Sequence, residues 1–261
     1  MPIVKVNDIS MYYNVCGEGD PLIILQEAGI EISSMYNVLD AFAENYQIIA
    51  LDNRGAGRTD MPDEHYSIEL MAEDTVGLMD EIGVKNAHFL GISMGSRIAQ
   101  VIAAKHPERV KSLILNVAAV RFPDMFKSIL DVSLENADLR EKLLQKTGIV
   151  FIQKYSPNPE SFLRQLKAMA DFDGRNYLSQ IKAPTLILNG TKDHLVPMEL
   201  TEELAAGIKD SKLVLVYEGH YFAALKPELL IEHTLEFLKE VKTKIALKKN
   251  VKMVKNYDGM Y

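Results

Sequence analysis

Three residue types that together perform nucleophilic catalysis each follow a short apolar run in this sequence. The pattern Gly91-x-Ser93-x-Gly95 follows one run, and Asp193 and His220 lie in polar turns after two later runs. A serine hydroxyl is a weak nucleophile that needs a base, and the base needs a carboxylate to orient it. Glycines on both sides of the serine suit a sharp strand-to-helix turn that exposes the hydroxyl. The sequence therefore predicts catalysis by serine, provided that the fold brings the three side chains together.

A second histidine competes for the role of base. His194 directly follows Asp193, but a base adjacent in sequence to its orienting acid would point away from it. We therefore favour His220. Each residue alone is also typical of an ordinary turn, and it is their joint occurrence, each after a predicted strand, that favours the catalytic interpretation.

The elements that must position these residues alternate between strands and helices. Strands are expected at Ile3–Val6, Met11–Val15, Leu22–Leu25, Gln47–Leu51, Ala87–Ile92, Val110–Val117, Thr185–Asn189 and Leu213–Tyr217. Helices are expected at Met35–Phe42 and Ser67–Ile82, after Ser93, and at Glu199–Ala206 and Pro227–Lys242. This alternation predicts an α/β fold with a mostly parallel sheet covered on both faces. Because parallel strands end at the same edge, the three loops can meet there.

The strand pattern stops between residues 119 and 180. Apolar residues recur there at helical spacing, over Phe126–Val132, Ala137–Gln153 and Pro159–Ala170. We predict a helical lid at 119–180, inserted between core segments 1–118 and 181–242. The tail at 243–261 is lysine-rich and is expected to be a solvated helical extension or a disordered end, with a membrane-surface or partner helix as the alternative.

Composition narrows the function classes. The chain has 261 residues and a net charge of −7, which argues against a nucleic-acid-binding surface. The single cysteine, Cys16, excludes an intrachain disulfide and argues against a cysteine-based metal site. No signal peptide or membrane span is recognisable, so a cytoplasmic monomer or homodimer acting on a small molecule, without cofactor or metal, is expected.

The order Ser, Asp, His along the chain is typical of the α/β-hydrolases. From about Leu22 to Leu238 the chain resembles that superfamily, and its segment 52–59 is similar to the D-x-R-G-x-G-x-S/T turn of small capped members. The resemblance implies an α/β-hydrolase fold with an inserted helical lid. It also implies a serine hydrolase that cleaves a small carboxylic ester, thioester or lactone through an acyl-enzyme. C–C bond hydrolysis, carboxylate-directed elimination and weakly catalytic ligand binding remain open alternatives.

The same resemblance implies an oxyanion hole formed by the backbone N–H groups of Met94 and Ala28. Members of the family usually carry His-Gly before the second donor, whereas this chain carries Gln26-Glu27. A carboxylate there would oppose the charge of the oxyanion. Glu27 therefore turns to solvent, is neutralised, or takes part in the chemistry, and the solvent-facing orientation is the favoured expectation.

Further residues are candidates for substrate contact. Arg97 lies one helical turn after Ser93, where a menaquinone-pathway lyase of the family has an arginine that helps bind a substrate carboxylate. Pairing of Arg97 with a protein carboxylate under the lid is the favoured alternative. The other candidates are Gln26, Glu27, Arg121, Phe122, Phe126 and Tyr221, and the apolar underside of the lid is expected to use Met125, Phe126, Phe162, Met169 and Phe172.

Overall fold

An eight-stranded sheet forms the centre of the protein. The structure, a computed structural model, describes residues 2–136, 153–155 and 158–257. The strands are β1 (Ile3–Val6), β2 (Ile9–Cys16), β3 (Pro21–Leu25), β4 (Gln47–Leu51), β5 (Ala87–Ile92), β6 (Val110–Asn116), β7 (Thr185–Gly190) and β8 (Ser211–Val216). Their order is β1-β2-β4-β3-β5-β6-β7-β8. The pairs β1–β2 and β2–β4 are antiparallel and all the others are parallel, as the alternating pattern predicted.

Helices cover both faces of this sheet. They are α1 (Tyr36–Ala43), α2 (Ile68–Glu81), α3 (Met94–Lys105), α4 (Asp124–Glu135), α5 (Pro159–Asp171), α6 (Arg175–Leu178), α7 (Met198–Gly207), α8 (Phe222–Leu225) and α9 (Pro227–Tyr257). Side chains of α2, α3 and α7 bury one face of the sheet, and those of α1 and α9 bury the other. The residues of β5 are buried on both faces, which explains why this strand reads as a continuous apolar run.

Local sequence signals account for several element boundaries. The Ser67 hydroxyl accepts a hydrogen bond from the Leu70 N–H and so caps α2, where the helix was expected to begin. The Asn158 side chain caps α5 in the same way, and Pro159 occupies the first helical position. A short 3₁₀ helix at Ile32–Met35 precedes α1, which therefore begins one residue later than predicted.

The segment between β6 and β7 contains helices α4, α5 and α6, whereas its described residues 153–155 are not helical. Helices α4 and α5 correspond to two of the predicted lid helices, and the predicted helix at Ala137–Gln153 lies outside the described residues, apart from Gln153 itself. Helix α9 does not end at Lys242 but continues to Tyr257, so the described part of the lysine-rich tail is helical. Within the described ranges no helix has both the length and the apolar character needed to cross a membrane.

Candidate active site

Ser93 occupies a strained turn between β5 and α3. Its φ angle of +51° lies in the left-handed region, which non-glycine residues rarely adopt. A Cβ on Gly91 would lie 2.3 Å from the Gly95 carbonyl oxygen, and one on Gly95 would lie 2.1 Å from the Leu25 carbonyl oxygen. Both glycines are thus required by the close approach of α3 to the strands. The turn places the Ser93 side chain at the carboxyl edge of the sheet.

Asp193 and His220 meet at the same edge. The Asp193 Oδ2 atom lies 2.7 Å from His220 Nδ1, and Asp193 Oδ1 accepts hydrogen bonds from the N–H groups of Leu195 and Val196. The loops after β7 and β8 are pressed together, because a Cβ on Gly190 would lie 2.2 Å from the Glu218 carbonyl oxygen. With Asp193 holding Nδ1, the second imidazole nitrogen of His220 is available to a neighbouring hydroxyl.

The rival histidine is placed elsewhere. His194 is exposed, and it does not line the cavity in which His220 and Ser93 lie. Asp193 therefore contacts His220 and not His194 among the described residues.

Ser93 and His220 line a cavity of about 210 Å³ beneath the lid. Its wall is mainly apolar, with side chains from α4, α5 and the loop after β7. The lining residues are Glu27, Ala28, Ile30, Ser93, Arg97, Phe122, Pro123, Phe126, Leu130, Phe162, Leu166, Met169, Leu195, Val196, His220 and Tyr221. The ring of Tyr221 stands edge-on to His220, with centroids 5.2 Å apart. A few polar groups that could act on a substrate therefore line a mainly apolar chamber.

Of the two backbone donors expected at the oxyanion hole, Met94 follows Ser93 in sequence and Ala28 lines the same cavity as Ser93. Met94 is the first residue of α3, so its N–H has no acceptor within the helix. Ala28 lines the cavity, and within the described part of the chain its N–H has no protein acceptor. The contact of Gly95 with the Leu25 carbonyl brings the start of α3 against the end of β3, from which the Ala28 loop departs.

Glu27 does not face solvent, and the favoured expectation for this residue was wrong. Its side chain is partly buried and lines the cavity with Ser93 and His220. Burial raises the pKa of the Glu27 carboxyl, the nearby His220 lowers it, and Asp193 raises it further. Burial also raises the pKa of the Tyr221 hydroxyl, and the nearby Glu27 and Asp193 raise it further. A carboxyl group with a raised pKa therefore lines the same cavity as Ser93.

Arg97 lines the cavity, but the favoured pairing with a protein carboxylate was also wrong. Its guanidinium forms no ion pair with any described carboxylate; Nη1 contacts the Ser93 carbonyl oxygen at 3.4 Å, and Nε has no partner among the described residues. Burial lowers the pKa of Arg97 to about 10, so the side chain stays cationic at neutral pH. A buried, unpaired cation is costly and calls for an anionic partner.

Four of the substrate-contact candidates lie away from the cavity. Gln26 is fully buried behind the loop, where its backbone carbonyl accepts a hydrogen bond from Asn53. Arg121 pairs with Asp124 at the base of the lid. Met125 is 64% exposed. Phe172 stacks on Tyr177 in the core. The remaining candidates, Glu27, Arg97, Phe122, Phe126, Phe162, Met169 and Tyr221, all line the cavity.

The turn at 52–59 connects two loops at the carboxyl edge of the sheet. Asp52 accepts hydrogen bonds from the N–H groups of Ile32 and Arg58, which ties the loop after β3 to the loop after β4. Arg54 is buried and forms ion pairs with Asp8, Glu64 and Asp74.

Sequence reasoning missed several residues of the site. Ile30, Leu130, Leu166, Leu195 and Val196 complete the apolar wall. It also missed Gln165, a fully buried polar residue of α5 that binds the backbone of the loop after β3. A polar residue among the apolar positions 162, 166 and 169 of a predicted helix is the signal that could have identified it. Among the described residues, no cluster of His, Cys, Asp or Glu could hold a metal ion.

The fold and this edge of the sheet define a hydrolase of the α/β type. A family model for the α/β-hydrolase fold matches residues 21–147. The AB hydrolase superfamily protein YisY of Bacillus subtilis is 31% identical over 79% of this chain and 86% of its own length. The chain therefore belongs to the α/β-hydrolase superfamily, and the protein is an enzyme of that superfamily.

Two further similarities come from an enzyme sequence and a solved structure. A protein of Azorhizobium caulinodans named "Putative carbamate hydrolase RutD" is 29% identical over 92% of this chain and 99% of its own length. The structure of Est816, described as an N-acyl homoserine lactone degrading enzyme, superimposes with a TM-score of 0.76. It is 26% identical, and the match covers 90% of this chain and 100% of that one.

Proposed function

We propose that the protein is a serine hydrolase that cleaves a small carboxylic ester, thioester or lactone. Ser93 is the nucleophile, His220 the general base and Asp193 the residue that orients the base. The observation that supports the proposal is that a serine with a strained backbone lines the same cavity as His220, whose Nδ1 lies 2.7 Å from an Asp193 carboxylate oxygen. The RutD-like and Est816-like proteins are named for carbamate and lactone substrates, which are also attacked at an acyl carbon.

The reaction follows from the roles of these groups. The Ser93 hydroxyl attacks the carbonyl carbon while His220 Nε2 takes its proton, and Asp193 stabilises the resulting imidazolium. The N–H groups of Met94 and Ala28 donate to the oxyanion. Collapse expels the alcohol or thiol, which receives the proton from His220, and leaves Ser93 acylated. A water molecule, activated by His220, then releases the acid by the same steps in reverse.

The cavity favours a small substrate. Its volume of about 210 Å³ is below the ~300–1,000 Å³ of pockets that hold drug-sized ligands. Phe122, Phe126 and Phe162 offer an apolar wall to an acyl or alkyl group. We therefore expect short-chain substrates to react faster than long-chain ones.

Arg97 favours a second candidate function on the same triad. A buried guanidinium without a protein carboxylate suits a substrate that carries a carboxylate of its own. Hydrolysis of a C–C bond, or elimination, in a carboxylate-bearing substrate would use Arg97 to hold the anion. The two candidates differ in the bond that is broken and share the role proposed for Ser93.

A chain-length series of nitrophenyl esters tests the proposal. Wild-type protein is expected to hydrolyse the acetate and butyrate esters, and Ser93→Ala to lose at least about 10³-fold in kcat/KM. Ser112→Ala is the matched control, because it removes another buried serine hydroxyl, which contacts His88 and not the cavity. Equal activity of Ser93→Ala and wild type would refute the proposed nucleophile.

A further inference from the structure

We propose that Gln165, on lid helix α5, is a positioning residue for the oxyanion loop. Its side-chain amide fixes the backbone of Gly29 and, through it, the neighbouring Ala28 N–H. The lid is then part of the catalytic machinery as well as a cover over the cavity. This inference rests on the proposed function, because it assigns Ala28 to the oxyanion hole.

The hydrogen bonds of Gln165 join two core loops through one side chain. Its Oε1 atom accepts from the Gly29 N–H at 2.6 Å, and its Nε2 atom donates to the Arg54 carbonyl oxygen at 2.7 Å. The side chain is fully buried, so water does not compete for either hydrogen bond. Arg54 is itself held by three carboxylates. Gly29 has a φ of +71°, a region that glycine adopts freely. Gln165 therefore connects a flexible residue type to a part of the core that is fixed by ion pairs.

A second glutamine of the lid segment binds the same glycine at its carbonyl group, in the next peptide. Gln153 Nε2 donates to the Gly29 carbonyl oxygen at 3.2 Å, and its Oε1 accepts from the Glu31 N–H at 3.0 Å. The Tyr155 N–H donates to the buried Glu31 carboxylate at 2.9 Å. The backbone groups of Gly29 and Glu31 are thus bound by side chains of the lid segment.

These contacts use the backbone N–H groups of residues 29–31 and leave the Ala28 N–H for the substrate. From Gly29 to Glu31 each backbone N–H donates to a protein oxygen, with Ile30 bonding the Glu27 carbonyl. The Ala28 N–H, which has no protein acceptor in the described part of the chain, precedes the peptide that Gln165 holds. An oxyanion donor stabilises the transition state only if its position is fixed before the charge develops. Loss of the Gln165 contacts would leave the Ala28 N–H in the chain but no longer fixed in position.

The experiment compares Gln165→Met with Arg164→Met. Methionine keeps the length of the side chain and removes both hydrogen bonds, whereas Arg164 pairs with the exposed Asp63 and forms no hydrogen bond with the oxyanion loop among the described residues. We expect Gln165→Met to lower kcat for nitrophenyl acetate by about 10- to 100-fold, a part of the effect of removing an oxyanion donor. KM should change less than about threefold, and affinity for a trifluoromethyl ketone should fall in parallel with kcat. Arg164→Met should retain the kcat of wild type.

Amide exchange at Gly29, measured by NMR, supplies a readout that needs no turnover. Exchange should be faster in Gln165→Met than in Arg164→Met. Gln153→Met, at a less buried position, should lower kcat in the same direction by a smaller factor and serves if Gln165→Met does not fold. Unchanged Gly29 exchange, or a fall in kcat no larger than that of Arg164→Met, would overturn the assignment. Failure of the serine-hydrolase proposal would appear separately, as turnover that does not depend on Ser93.

Discussion

Replacing Glu27 by glutamine removes an ionisable group from the cavity while keeping the size of the side chain. Burial raises the pKa of this carboxyl, His220 opposes the shift, and Asp193 adds to it. Arg97 and Tyr221 also line the cavity. When the pH rises through the pKa of Glu27, a negative charge forms in the same space as the developing oxyanion. Ester hydrolysis by wild type should therefore decline on the alkaline side, and Glu27→Gln should lose that decline.

The size of the effect follows from the cavity. Glu27 and Ser93 line the same cavity of about 210 Å³, so the carboxylate and the oxyanion would share one small space. At ~4 to ~7 Å and an effective dielectric constant of ~20, two unit charges repel by about 4 to 2.4 kcal/mol. This energy corresponds to roughly 1,000- to 60-fold in rate.

The assay is the pH profile of kcat/KM for nitrophenyl acetate. Glu27→Gln is compared with wild type and with Glu44→Gln, which changes an exposed glutamate at the end of α1. Thermal unfolding gives a second readout. A raised pKa in the folded state means that stability is highest at low pH and is lost as the pH rises through that pKa. Glu27→Gln should therefore be more stable than wild type at alkaline pH, and the difference should vanish towards acid pH. Superimposable rate profiles for all three proteins would refute the reasoning.

Three further outcomes are expected. Asp193→Asn and His220→Ala should each reduce kcat by at least about 10³-fold, and the losses should not add in the double variant. His194→Ala should retain activity. Loss of activity in His194→Ala with retention in His220→Ala would contradict the assignment of His220 as the base. Arg97→Leu should cost anionic esters about 1.5–3 kcal/mol more than neutral esters of equal size, measured as kcat/KM, and equal losses would make Arg97 structural only. Gly95→Ala should lower the free energy of unfolding in urea by about 1–3 kcal/mol, because its Cβ would lie 2.1 Å from the Leu25 carbonyl oxygen. An unfolding free energy equal to that of wild type would contradict the close packing of α3 on β3.

The sequence predicts which residues lie at the carboxyl edge of the sheet, because their position depends on the topology of the fold. Ser93, Asp193 and His220 each follow an apolar run, and parallel strands end at one edge whatever the details of their loops. The glycines at 91 and 95 also indicate a sharp turn locally, and the structure has such a turn at Ser93, whose φ is positive.

The interior of the site depends instead on side chains that meet only in three dimensions. The direction of Glu27 is set by the path of a short loop, and a surface glutamate and a cavity glutamate look alike in sequence. Whether Arg97 finds a carboxylate depends on lid residues distant along the chain. Gln165 interrupts an otherwise apolar helix face, but its partners, Gly29 and Arg54, are visible only in the folded protein.

The most direct test of the account is to locate a covalent adduct by mass spectrometry. A fluorophosphonate probe, which reacts with an activated serine, should add one phosphonyl group to wild type, and peptide mapping should place it on Ser93. His220→Ala should label much more slowly, Ser93→Ala should not label, and Ser112→Ala should label as wild type does. Labelling of Ser93→Ala at the rate of wild type, or an adduct on another residue, would contradict the assignment of Ser93 as the nucleophile.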